Sequence, residues 1–172
     1  MADPEKSRAV SSIPQRLMGL DVGDARIGVA LSDPAGISAT PRCTVERGRN
    51  KKSRAKAIRQ IAEMISIEGV SSVVVGMPVE LCGEVGEQGQ KVLLFCGALE
   101  SELGRRPNTA GVDISLWDER FTTREAQRVL VSSGLKNSAR RAALDRISAS
   151  VILSAYMESM RLKREDEDDK QK

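Results

Sequence analysis

No histidine occurs among the 172 residues, and that single absence closes several routes to function. Ser-His-Asp and Cys-His hydrolases, HExxH proteases, His-ligated zinc and His-based nuclease mechanisms all need one. Acid–base or metal chemistry must therefore come from carboxylates, Lys, Tyr or backbone. Aromatics are scarce as well, with one Trp, one Tyr and two Phe, which argues against a module that stacks successive bases on aromatic platforms. The cysteines Cys43, Cys82 and Cys96 are odd in number and show no CxxC spacing. They read as small hydrophobes of a reducing cytoplasm, not as a disulfide or zinc framework. No stretch approaches the ~20 apolar residues of a membrane helix. The N-terminal MADPEKSRAVSSIPQ carries acids and lacks the apolar run of a signal peptide. The expected location is cytoplasmic, with no membrane partner.

What remains is an ordinary soluble composition, 40% hydrophobic and 30% charged, at the length of one domain. Residues 1–15 are polar and Pro-interrupted, and 163–172 (KREDEDDKQK) is a mixed-charge tail. Both are expected to be disordered, leaving 16–162 as the folded domain. The net charge is only +3, but between Arg42 and Arg59 eight Lys and Arg face a single acid, Glu46. So dense a run is either a solvated helix and loop or a surface for a polyanion.

Apolar periodicity predicts the elements. LMGLDVG at 17–23 and RIGVALSD at 26–33 alternate apolar and small or polar residues around Gly23-Asp24-Ala25, as a β-hairpin would. A third strand is expected at 37–40, extending towards Val45. Residues 53–68 predict a helix stopped by Gly69, and SVVVG at 72–76 a strand covered on both faces. A loop at 79–86 leads to a helix over 87–103, then a strand around Val112, Ile114 and Leu116. Thr122 and Glu125 form a capping box for a helix to about 131. The last helix is expected over 139–162, with Leu144, Ile147, Val151 and Ala155 as its core stripe. The order β-β-β-α-β-α-β-α-α predicts a mixed five-stranded α/β sheet, a three-strand antiparallel meander plus two αβ units, with helices on both faces.

Three carboxylates stand where stability alone explains them poorly. Asp21 lies inside the first strand between Leu20 and Val22, flanked on its own face by Gly19 and Gly23. A buried carboxylate there needs a partner or a metal, unless it is an edge aspartate facing water. Glu119 follows the strand ending at Trp117, where open α/β sheets bind ligands; an Asp-Glu-Arg salt-bridged turn is the structural alternative. Asp145 opens the stripe Asp145, Ser148, Ala149, Ile152, Tyr156 at helical spacing, although an aspartate near a helix start also complements the dipole. Three acids around a glycine-lined surface suit hard divalent cations. Without histidine, two-metal phosphoryl transfer is the economical chemistry.

LDVGxxRIGVA at 20–30, VVGMP at 74–78, WDER at 117–120 and ALDRISA at 143–149 occur in an order and spacing that resembles the YqgF/RuvX family. Its members have an RNase H-like fold and are regarded as pre-16S ribosomal RNA nucleases or Holliday junction resolvases. The resemblance covers about residues 17–162. It implies that Asp21, Glu119 and Asp145 are the catalytic and metal-binding residues of an endonuclease using Mg2+ or Mn2+, in two sites. It also implies that the substrate is the 5′ end of precursor 16S RNA in a bacterial cytoplasm. Two departures stand out. Cys82-Gly83 replaces the usual Asp-Gly or Asn-Gly, and Ser148 occupies the place where related resolvases carry a further acid. Expected phosphate contacts are Arg26, Arg49, Lys51, Lys52, Arg120, Arg124, Arg140 and Arg141, since guanidinium forks match phosphate oxygens; Arg47 and Arg54 belong to the same basic run. Trp117 is expected to pack rather than stack on a base. Branched DNA is the competing substrate and would require a homodimer with two active sites. A catalytically weak RNA-binding assembly factor is the reading from another class.

Overall fold

The computed structural model describes residues 16–78, 84–118 and 137–170, with side chains of the last helix described from 145 to 167. The chain opens with β1 (Arg16–Val22) and β2 (Arg26–Ser32), a hairpin whose short turn is closed by the Gly23 N–H donating to the Arg26 carbonyl at 2.9 Å. β3 (Ala39–Glu46) pairs antiparallel with β2, starting two residues later than the sequence predicts and running through Val45. Helix α1 (Lys51–Glu68) begins two residues early because the Asn50 side chain accepts from the Ser53 N–H. It ends at Gly69, whose φ of 63° is the left-handed conformation of a C-cap glycine. β4 (Val70–Met77), α2 (Glu87–Leu103), a short 3-10 turn (Pro107–Thr109) and β5 (Asp113–Asp118) follow, then the long helix α3 (Asn137–Lys170). The helix expected at 122–131, the loop at 79–83, Cys82 and the N-terminal 1–15 lie outside the described residues.

The sheet order is β3-β2-β1-β4-β5, antiparallel between β1, β2 and β3 and parallel from β1 through β4 to β5. This is the mixed architecture that the order of elements predicts. Its two faces are built differently. One carries Met18, Leu20, Ile27, Val29, Val73 and Val75 against Ile61 and Ile65 of α1 and Val92, Phe95 and Leu99 of α2. The other is thin: Ala30 and Val74 meet Ala149, Ile152 and Leu153 of α3. Two glycines explain the thinness. A Cβ on Gly28 would lie 1.9 Å from the Asp145 carbonyl oxygen, and one on Gly19 would lie 2.7 Å from the Ala149 carbonyl oxygen and 2.8 Å from Leu153 Cβ. The helix backbone therefore rests almost directly on the strands.

Two expectations about α3 are corrected. Its buried stripe is Ala149, Ile152 and Leu153, with Asp145 and Tyr156 beside them, whereas Val151 and Ala155 are only partly covered. The glycine seam selects the side with small residues. The tail is not a disordered segment from 163, because the helix continues to Lys170. Residues 161–167 are solvent-exposed, so spacing within the helix supports them: Arg161 pairs with Glu158 at 2.6 Å and Glu165 at 3.5 Å, neighbours three and four residues apart on one helix face.

Candidate active site

Asp21 and Asp145 meet across the glycine seam. In the hairpin register Asp21 stands opposite Gly28, and Gly28 is the residue on which the Asp145 backbone rests. Burial pushes the Asp21 carboxyl up to about 6, the negative charge of Asp145 pushes the same way, and a hydrogen bond from the Ser148 hydroxyl opposes them. Asp145 is also raised, first by burial and then by Glu46, while the Arg26 and Arg146 guanidinium groups pull it back down. Arg26 Nε lies 3.0 Å from Asp145 Oδ2, yet that buried oxygen receives no well-aligned hydrogen bond. Two like charges thus share a half-buried site and are imperfectly neutralised.

Parallel strands bring further groups to this end of the sheet. β5 ends at Asp118, in register with Met77 of β4, and β4 runs parallel to β1. Glu119, Arg120 and Arg124 lie outside the described residues, and among those described no three carboxylates form one potential metal-binding group. Arg140 and Arg141 fall in the first turns of α3, ahead of Asp145. Trp117 packs edge-to-face on Tyr156, with ring centroids 5.7 Å apart, as the packing expectation had it.

The basic run divides into two parts. Arg49, Lys51, Lys52 and Arg54 are exposed at the start of α1. Arg47 is not with them: it is 7% exposed, donates from Nη1 to the Gly23 carbonyl at 2.9 Å and lies 5.8 Å over the Phe95 ring. Arg47 thus belongs to the basic run in sequence but not to its exposed surface. Arg47 fastens the turn that follows Asp21, because a desolvated guanidinium gains more from a carbonyl and a ring face than it would alone. The backbone N–H groups of Arg47 and Gly48 donate to the Ala25 carbonyl at 2.8 and 3.3 Å, so the exposed cations are moored beside β1. Gln88 of α2 donates to the Val22 carbonyl at 3.0 Å, and Lys91 bridges Asp24 and Glu87. Sequence reasoning missed Gln88 and the tie made by Arg47. Ser148 had a signal, its place three residues after Asp145, but its bond to Asp21 depends on how α3 is seated.

A family model described as "RuvX: Holliday junction resolvase" matches residues 15–159. The chain belongs to the RuvX family. Two curated RuvX relatives carry the name "Putative pre-16S rRNA nuclease". The one from Desulforudis audaxviator is 43% identical over 144 residues, covering 84% of this chain and 94% of the relative. The one from Lachnospira eligens is 42% identical, covering 84% and 97%. Among solved structures, T. thermophilus RuvC in complex with a Holliday junction substrate aligns with a TM-score of 0.54 at 15% identity, over 84% of this chain and 96% of that one. The chain thus shares the RuvC fold, the RNase H-like architecture that the sequence motifs imply.

Proposed function

We propose that this chain is a divalent-metal-dependent endonuclease that hydrolyses phosphodiester bonds at the 5′ end of precursor 16S rRNA in a bacterial cytoplasm. The observation that carries the proposal is the meeting of Asp21 and Asp145 across Gly28 at the sheet end where Arg49, Lys51 and Lys52 are exposed. The names of the 42–43% identical relatives support the RNA substrate. No helix among the described residues is long and apolar enough to cross a membrane.

The donor set fits Mg2+ or Mn2+. A buried Asp145 oxygen that meets the Arg26 guanidinium without an aligned hydrogen bond, and an Asp21 carboxyl raised by burial and then by its neighbour's charge, are hard oxygen donors of the kind such cations take. One or two such ions bound there would supply Lewis acidity for activating water and for charge on the leaving oxygen. Asp21 and Asp145 would hold the metal, with Glu119 as the third acid. Ser148 fixes the Asp21 carboxylate, and Arg49, Lys51 and Lys52 take phosphates on the approach.

Purified protein offered a precursor 16S 5′-leader RNA and a synthetic four-way DNA junction, each with Mg2+, Mn2+ or EDTA, tests the assignment. Metal-dependent cutting of the leader is expected. Symmetric cutting of the junction by a dimer, with the leader intact, would move the substrate to branched DNA. Tight RNA binding without any cleavage would make the chain an assembly factor.

The basic surface has its own test. Replacing Arg49, Lys51 and Lys52 with Gln should flatten the salt dependence of single-stranded RNA binding by about two units of log–log slope, at roughly 0.7 per phosphate contact. Arg47→Gln should leave that slope alone and lower the melting temperature instead, since Arg47 is buried on Gly23 and Phe95. Equal slopes in wild type and triple mutant would leave those three residues as ordinary solvated surface.

A further inference from the structure

Arg26 is the first residue of β2, immediately after the turn that follows Asp21, and stands opposite Glu46 of β3. Its guanidinium touches Asp145 Oδ2 at 3.0 Å, with both side chains about three-quarters buried. Asp145 also feels Glu46 and Asp21 as like charges and Arg146 as a second opposite one. Arg26 therefore occupies the oxygen that a divalent ion held by Asp21 and Asp145 would need. The two cannot share it: a hard cation coordinates at about 2.1 Å, and its double charge repels a guanidinium in the same half-buried space.

We propose that Arg26 is a displaceable counter-ion, which neutralises Asp145 in the metal-free protein and passes to a substrate phosphate when a divalent ion takes Asp145. The inference rests on the reading of Asp21 and Asp145 as a metal pair. When displaced, Arg26 stays within reach of the site, because its backbone is held by pairing with Glu46 of β3 and by accepting from the Gly23 N–H. The freed fork of N–H donors remains at the mouth of the site, in the shape that phosphate oxygens match. Metal occupancy thereby creates a phosphate contact that the metal-free protein lacks. By linkage, RNA must strengthen metal binding by the same factor that metal strengthens RNA binding.

The test uses the full chain, Mn2+ without RNA, and a cleavage-resistant 2′-O-methyl 5′-leader RNA with Ca2+ or with EDTA at constant ionic strength. Arg26→Gln should bind Mn2+ several-fold more tightly than wild type, because the competing cation is gone. The same variant should lose about tenfold in RNA affinity with Ca2+, the scale of one charged hydrogen-bonded contact, and much less in EDTA. Arg26→Lys keeps the charge and should bind Mn2+ like wild type while recovering only part of the Ca2+-dependent gain; it also serves if the Gln variant folds poorly. Weaker Mn2+ binding by Arg26→Gln would make Arg26 a strut for Asp145 and overturn the proposal. An equal loss of RNA affinity with and without Ca2+ would overturn it too, leaving Arg26 a permanent phosphate contact. If wild type binds Mn2+ and Asp145→Asn abolishes that binding, such a failure belongs to Arg26 alone. If wild type binds no Mn2+, the metal-pair reading falls and this proposal with it.

Discussion

Asp21→Asn is expected to lower cleavage by a factor of about a thousand or more, the several kcal/mol that a metal's Lewis acidity contributes, and to stabilise the metal-free protein. The amide is isosteric and still accepts from Ser148, so the fold should survive while a ligand and a negative charge disappear together. Stability should change in a pH-dependent way. Folding raises the Asp21 carboxyl from 3.8 to about 6, so the folded state holds this proton more tightly than the unfolded chain. The resulting stabilisation is fully present below pH 3.8 and is lost as the pH rises through about 6. The loss is on the order of 2–3 kcal/mol, by the conversion of one unit to roughly 1.4 kcal/mol. Asparagine does not ionise, so the variant should lack this slope and melt above wild type at neutral pH without metal. Millimolar Mg2+ or Mn2+ should reverse the ranking by stabilising wild type alone. Melting curves from pH 4 to 8, with and without metal, decide it. A metal-free variant less stable than wild type at pH 7 would make Asp21 a structural ion-pair partner. Cleavage within a few-fold of wild type in Asp21→Asn, Glu119→Gln and Asp145→Asn alike would place the active site elsewhere.

Gly28→Ala should be nearly as damaging to cleavage and far worse for stability. The added methyl would sit 1.9 Å from the Asp145 carbonyl oxygen and 2.4 Å from its carbonyl carbon. Both are backbone atoms, with no side-chain rotamer to relieve the contact, so α3 must retreat from β2. Overpacking costs about 1–3 kcal/mol where side chains can adjust, and a backbone clash belongs at or above the top of that range. The retreat also draws Asp145 away from Asp21, so cleavage should fall even at temperatures where the variant stays folded. Gly97→Ala is the control. It makes the same chemical change in α2 where nothing lies within 4 Å of the new Cβ, and it should stabilise by roughly 0.5–1 kcal/mol. Urea melts and single-turnover cleavage on both variants test the pair. A Gly28→Ala protein with wild-type stability and rate would show that α3 need not touch the strand.

The chain order of the elements was legible in residues 17–118 because their signals are local. Alternation marks β1 and β2, a continuous apolar run marks β4, and Gly69 ends α1 through its own left-handed φ. Asp21 was legible for the same reason, as a charge inside a strand between glycines. What the sequence by itself could not decide is which of its charges meet. Asp145 comes to Asp21 only because Gly19 and Gly28, one on each strand of the hairpin, let α3 lie against the sheet, a contact between residues more than a hundred positions apart. Arg26 and Arg47 show the same limit. Both read as free cations, yet one pairs with Asp145 and the other is buried on Gly23 and Phe95. A charge's partner is a property of the packed interior, where desolvation makes each ion pair or hydrogen bond depend on what else is near. Arg49, Lys51 and Lys52 are exposed, and at the surface water screens a charge, so their sequence context describes them better than it does a buried cation.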